Sequence, residues 1–468
     1  MKTKAVPFSW IERWGKRLDC GPYMGGAVEA RFVLEEARTE KEPLCSLTAG
    51  HNGGIYNGPM FRRNYVESPE HGVPFLTSGS MLRADLSDLP LLRKKDAESA
   101  KLSYLRLMPG TTMISCSGTI GRMVYARSDM AGMWASQDIL KVVPNPDRIP
   151  SGYLYAFLSS KFGLPLVTSG TYGAIIQHIE PEHIADLPVP RLGEAVEKKA
   201  HELVERAAEL RAGASAKISE AVRELESLAG LDQLPIPPSP TPFCAGAIPA
   251  FSIEARFDAF FHSDYHRKAT EGIRDCQCGY ATIGEISASV VEPARFKRVQ
   301  IDDVQFGIPF FGTATLFWSE PSPAYLIPKR QSGLDQYIVQ RNSLLIPRSG
   351  QISGIIGTVV MPHGAIIGGA VTEDAIRINC NEDRTAGYLF IALSSAYGIR
   401  QLKARAYGSS IPHLDVHHVR AVLVPDPGSS IRAQLGSMSI EASLMRDKAI
   451  HLEREARAAV EHAIEEAA

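Results

Sequence analysis

The chain has no apolar run near the ~20 residues that a membrane-spanning helix needs. Its opening stretch, MKTKAVPFSWIERWGKRLD, lacks the apolar core of a secretory signal. A cytoplasmic location and no membrane partner are therefore expected. Paired cysteines are missing too. Cys20, Cys45, Cys116, Cys244, Cys276, Cys278 and Cys380 form an odd, unpatterned set that fits a reducing compartment. Cys276 and Cys278 make one C-x-C pair, with no second pair or histidines at zinc spacing. His417 and His418 are adjacent, so their side chains should diverge in a helix or a strand, and no metal site is expected. Catalytic signatures are also absent. There is no phosphate-cradling GxxxxGK[ST] loop and no G-x-S-x-G elbow. NPD at Asn145–Asp147 and PDP at Pro425–Pro427 lack the Pro-Pro and aromatic of an amino-methyltransferase. The expectation is a chain with no catalytic residues and no cofactor. An excess of one charge is missing as well. A net charge of −2 argues against a uniformly basic nucleic-acid binder but permits local basic faces.

What is present is a repeat. Gly152 to Pro190, GYLYAFLSSKFGLPLVTSGTYGAIIQHIEPEHIADLPVP, returns as Gly387 to Pro425, GYLFIALSSAYGIRQLKARAYGSSIPHLDVHHVRAVLVP. The two align without a gap at an offset of 235, and 14 of 39 positions are identical. A period this long means a duplicated domain, not a solenoid. Further pairs extend it upstream. Val73–Gly79 matches Ile308–Ala314, and Met113–Gly121 matches Leu345–Gly354. These read as short strands stopped by Gly or Ser-Gly turns. Arg17-Leu18-Asp19 and Arg256-Phe257-Asp258 open the two halves, each read most simply as a local salt bridge. GYLYAFLSSKFG has helical spacing. TSGTYGAIIQHI reads as a loop into a strand, and HIADLPVP as the strand that closes the domain.

A heptad-patterned helix follows each half. The first carries Val196, Ala200, Leu203, Ala207, Leu210, Ala214, Ile218, Ala221, Leu225 and Leu228. The second carries Ile431, Leu435, Met438, Ala442, Met445, Ala449, Leu452, Ala456, Ala459 and Ala463. Either helix could pack on its own domain; two matching ones favour pairing with each other. The Pro-rich segment LPIPPSPTPFCAGAIP reads as a stiff linker. The expected fold is α+β: two similar domains, 1–193 and 251–428, with long antiparallel heptad helices at 194–230 and 429–468, a linker at 231–250 and a pseudo-twofold internal duplication.

This order of elements, with the endings GTYGAIIQHIEPEHIADLPVP and RAYGSSIPHLDVHHVRAVLVP, resembles the DNA-specificity subunit of Type I restriction–modification systems. The likeness covers essentially the whole chain. It departs where many members begin the helix with Glu-Gln, since PRLGEAVEKKA and PDPGSSIRAQL stand there instead. The resemblance implies a non-catalytic phage-defence subunit. Each domain would read one half of a bipartite double-stranded DNA target, and the helices would set the spacing and dock DNA adenine methyltransferase subunits. It also allows a restriction endonuclease/translocase partner. A pseudo-symmetric scaffold that assembles proteins without reading sequence is the alternative.

Candidate DNA-binding residues are Arg62, Arg63, Arg83, Lys94, Lys95 and Arg122 in the first half, and Arg295, Lys297, Arg298, Lys329, Arg330 and Arg348 in the second. Thr171, Tyr172 and Gln177, with Tyr407, Ser409 and Ser410, occupy the repeated Gly-rich loop. Cations position a protein on phosphates, and Arg, Gln and Asn give bidentate base contacts. Any one of these basic residues reads more simply as a solvated charge. Tyr172/Tyr407 and His178/His413, being shared by both halves, read more simply as packing residues, and specificity is expected in what is not repeated.

Overall fold

The computed structural model describes residues 3–13, 18, 20–169, 178–234, 246–253 and 256–468. Most of the linker expected at 231–250 lies outside them, as do Arg17 and Asp19 of the expected salt bridge. The chain forms two compact units, Met1–Ala212 with Lys448–Ala468, and Gly213–Asp447. Each therefore holds part of both long helices. The architecture is α+β.

In the first unit the strands are β1 (Lys41–Pro43), β2 (Ile55–Tyr56), β3 (Tyr65–Val66), β4 (Gly72–Leu76), β5 (Leu91–Arg93), β6 (Thr112–Ser115), β7 (Met123–Tyr125), β8 (Trp134–Ala135), β9 (Ile139–Val142) and β10 (Pro188–Pro190). They make sheets of order β2-β9-β6-β7 and β3-β5-β4-β8, plus the pair β1-β10. The second unit has β11 (Tyr280–Thr282), β12 (Ser289–Val291), β13 (Gly307–Phe311), β14 (Tyr325–Pro328), β15 (Ser343–Pro347), β16 (Ala370–Val371), β17 (Ala375–Asn379) and β18 (Leu423–Pro425). Its sheets are β12-β17-β15, β14-β13-β16 and β11-β18. The topology repeats: β4 pairs β8 in parallel, as β13 pairs β16, and β5 and β14 pair antiparallel to β4 and β13.

Ser151–Leu158 is a helix whose residues Gly152 to Leu158 are all buried, and Asp383–Ser394 is its counterpart. Tyr153 Oη donates to the carbonyl of Pro190, and Tyr388 Oη to that of Pro425. The tyrosine thus ties the central helix to the closing strand in both units. Gly163 and Gly398 are glycine for a steric reason. A Cβ would lie 2.1 Å from the Phe157 carbonyl oxygen in one case and 2.5 Å from that of Ala392 in the other. The HIADLPVP segment divides into a helical turn, Pro181–Ile184, and β10.

The long helices are Glu194–Ala229 and Ser429–Ala467. Their buried stripes coincide at the same 235-residue offset. The first is 200, 204, 207, 211, 214, 218, 221, 225 and 229; the second is 435, 439, 442, 446, 449, 453, 456, 460 and 464. This corrects half of the expected heptad. Ala200, Ala207, Ala214, Ala221, Ala442, Ala449 and Ala456 are buried as expected, with Leu210, Ile218, Leu225 and Leu435, but Leu203, Met438, Met445, Leu452, Ala459 and Ala463 are only half-buried and Leu228 is exposed. Val204, Arg211, Ser439, Arg446 and Glu453 take the inward places. Arg211 and Glu453 face inward because they neutralise each other, and Ser439 Oγ donates to the Gly436 carbonyl, none of which a hydropathy pattern sees. In the second unit Lys217 meets Glu441 at 2.8 Å and Gln434 meets Glu224 at 2.9 Å, so the helix segments run antiparallel there. No described helix is long and apolar enough to cross a membrane.

Candidate nucleic-acid interface

Most of the predicted cations lie in segments beside the strands of the small sheets β3-β5-β4-β8 and β14-β13-β16. Arg62 and Arg63 match Lys297 and Arg298 at the offset of 235, and Lys94 and Lys95 match Lys329 and Arg330. In the sequence these stand as separate candidates. The signal that joins them is the tripeptide Phe61-Arg62-Arg63, repeated as Phe296-Lys297-Arg298.

The local geometry repeats as well. Phe61 packs edge-on to buried Phe75 of β4 at 6.0 Å, and Phe296 to buried Phe310 of β13 at 6.1 Å. The guanidinium of Arg63 lies 5.6 Å over Phe75, and that of Arg298 lies 5.0 Å over Phe310. Each is also ion-paired, Arg63 to Asp138 at 3.4 Å and Arg298 to Glu373 at 2.6 Å. Burial alone would push the Glu373 carboxyl up, but hydrogen bonding and charge from Arg298 outweigh it and hold it below the usual range. A guanidinium gripped by an aromatic face and a carboxylate is held in one pose. Half-buried Arg63 and exposed Arg298 therefore act as struts, with exposed Arg62 and Lys297 beside them not held in this way.

One position ties this segment to the next pair of cations. In the first unit Asp96 accepts from Asn64 Nδ2 at 2.9 Å and from Arg93, whose hydrogen bond is the largest cause holding its carboxyl low. In the second unit Gln331, the equivalent of Asp96, donates to the Lys297 carbonyl at 3.1 Å. Lys94 N–H donates to the His71 carbonyl at 2.8 Å, and Lys329 N–H to that of Phe306 at 2.9 Å. The result in each unit is a fixed frame presenting three exposed cations: Arg62, Lys94 and Lys95, or Lys297, Lys329 and Arg330. Arg295 is exposed two residues before Lys297.

The other candidates stand apart. Arg83 is half-buried after the turn Ser80–Leu82, and half-buried Arg122 precedes β7 in the other sheet. Arg348 pairs with Glu292, its own N–H bound to the Asp374 carbonyl at 3.0 Å. Thr171, Tyr172 and Gln177 lie outside the described residues. Tyr407, Ser409 and Ser410 are exposed, which overturns the packing role for Tyr407. Its hydroxyl donates to Asp415 at 2.7 Å. His413 exchanges backbone bonds with Tyr407, and its Nδ1 lies 2.9 Å from Ser349 Oγ.

His417 and His418 also differ from expectation. Their rings sit 3.9 Å apart rather than diverging, and with Asp415 they form a group with ligand-type atoms within 4.8 Å. Tight turning at the helix Val416–Arg420 brings them together. His418 is used internally: its Nδ1 accepts the Asp415 N–H, as His183 accepts that of Glu180. Burial first, then His417, pushes the His418 imidazole down to about 4. Arg256 and Asp258 form the expected local salt bridge at 2.6 Å.

No protein family and no curated protein matches the sequence. Among solved structures, the chain is similar to the Type I restriction–modification S subunit from M. genitalium, at 14% identity and a TM-score of 0.29, covering 92% of this chain and 96% of that one. It is likewise similar to the HsdS subunit from Thermoanaerobacter tengcongensis, at 12% and 0.27, covering 91% and 96%. A chain from a structure of the type I R-M system gives 12% and 0.27, covering 91% and 97%. Likeness at that level carries no functional assignment by itself.

Proposed function

We propose that the chain is a DNA-recognition subunit whose two units each read one part of a bipartite duplex target. It would work with DNA adenine methyltransferase subunits and, in a restriction complex, with an endonuclease/translocase. The observation that carries this reading is the duplicated cationic frame. A chain with a net charge of −2 places matched, exposed cations beside the same small sheet of both units. Clustered cations suit phosphates, whose neutralisation releases counterions and makes binding salt-dependent. The residues between the cations differ from one unit to the other, as two readers of different half-sites require. The order of elements and the shared domain endings support the same reading.

The test is selection of bound sites from a randomised duplex library by the full-length protein, followed by sequencing. A bipartite enriched motif supports DNA reading. Salt-insensitive binding with no enriched motif would reject it and favour the scaffold.

A further inference from the structure

Phe306 is exposed at 56% of its surface, in company with Val304 at 77% and Val299 at 49%. Single exposed apolar residues are ordinary, but three on one short loop are not. The loop runs from Lys297 to Lys329's backbone partner, so this apolar group is bracketed by Lys297, Lys329 and Arg330. Asp303, on the same loop, is turned back onto it, its carboxylate accepting the Gln305 N–H at 2.8 Å.

The first unit builds the same backbone with other side chains. His71 stands where Phe306 stands, and both carbonyls accept the N–H of the matching lysine, Lys94 or Lys329. Both are followed by a glycine that pins the strand. A Cβ on Gly72 would lie 2.6 Å from Leu91 Cβ, and one on Gly307 2.8 Å from Leu326 Cβ. Asn64 and Pro69 replace Val299 and Val304. His71 is also exposed. A surface for one common protein partner would ask for the same side chain in both units. An unchanged frame that offers a different side chain between matched cations suits a polyanion whose local chemistry varies along its length.

We infer that positions 71 and 306 are base-reading positions on duplex DNA. Phe306, two residues after the exposed Val304, takes the 5-methyl group of a thymine, the one apolar feature a base pair shows in the major groove. His71 offers a hydrogen-bonding ring to a base edge in the other half-site. The inference rests on the DNA reading proposed above and adds the residue that discriminates.

Full-length protein and its variants are tested on the randomised duplex library. Wild type should enrich a motif with a thymine in the half-site read by the second unit. Phe306→His should change that position alone, Phe306→Leu should keep it, and His71→Phe should bring a thymine into the other half only. Replacing the thymine by deoxyuridine should weaken wild-type binding about fourfold, the worth of one buried methyl (about 0.8 kcal/mol), and leave Phe306→Ala unaffected. Because Phe306 is exposed, the variants should melt with wild type. A wild-type motif that survives unchanged in Phe306→His and Phe306→Ala overturns the inference and leaves DNA reading standing. So does an equal loss of affinity for all duplexes. A wild type that enriches no motif overturns both.

Discussion

Arg211 and Glu453 face each other inside the first unit, Nη2 to Oε2 at 3.0 Å and Nε to Oε1 at 3.1 Å, with only 6% and 9% of their side chains exposed. They join the two long helices through a bidentate pair in a nearly dry setting.

Removing one partner takes away the bidentate contact; without Arg211, Glu453 keeps Arg457, but at 4.0 Å. Arg211→Ala or Glu453→Ala should cost about 3–5 kcal/mol of the first unit's stability. Arg211→Met with Glu453→Leu should cost far less, since no charge is then left unpaired. Urea unfolding of the three variants checks this; equal losses in all three would mean that the pair matters only as packing volume.

Lys141 makes stability depend on pH. It lies inside β9, its ammonium bonded to the Ser136 carbonyl at 3.0 Å, and burial lowers it from 10.5 to about 7. Above about pH 10.5 folded and unfolded chains both carry a neutral amine, and burial costs nothing. As pH falls toward 7 the unfolded chain binds a proton that the folded chain refuses, so stability declines; below 7 the penalty is constant. Burial pushes the Cys116 thiol up to about 11, which adds a separate slope only above pH 9. Between pH 8.5 and 7 the lysine alone should remove about 2 kcal/mol. Lys141→Met should abolish that slope, read by hydrogen exchange of the β6 and β9 amides. A slope that persists would assign it elsewhere.

The tyrosine ties predict equal effects in both units. Tyr153→Phe and Tyr388→Phe each leave a buried proline carbonyl, Pro190 or Pro425, without its donor. Each should cost about 1–3 kcal/mol. Thermal unfolding of the two single variants should give similar shifts, and a shift in only one would break the equivalence.

Much of the frame was legible in residues 152–190 and 387–425, because glycines forced by close approach and tyrosines bonded to backbone are costly to replace. Helix limits were legible to within a residue, since Gly193, Gly230 and Gly428 all adopt positive φ just outside them. What escaped were the inward Arg211 and Glu453, which hydropathy assigns to the surface although pairing makes them buriable. The Phe-Arg-Arg and Phe-Lys-Arg match also escaped, because it sits where the halves otherwise diverge. Adjacent histidines were misjudged because a short capped helix, not a regular one, holds His417 and His418.

The exposed cations should behave as phosphate contacts. Lys329→Ala with Arg330→Ala, and Lys94→Ala with Lys95→Ala, should each lower the salt slope of duplex binding by about 2 without changing the preferred sequence. Arg298→Ala should instead lower the second unit's stability, because Phe310 and Glu373 lose their strut. Binding isotherms at several salt concentrations, with melting curves, separate the two roles.

The segments 63–71 and 298–306 have the same length and are held at both ends in the same way: an arginine over a phenylalanine at the start, a carbonyl bound to a lysine N–H at the finish. Such a stretch behaves as an exchangeable cassette. Its contents can be rewritten, or moved from one unit to the other, while the fittings that seat it stay as they are, so a new target preference need not bring a repair of the fold with it.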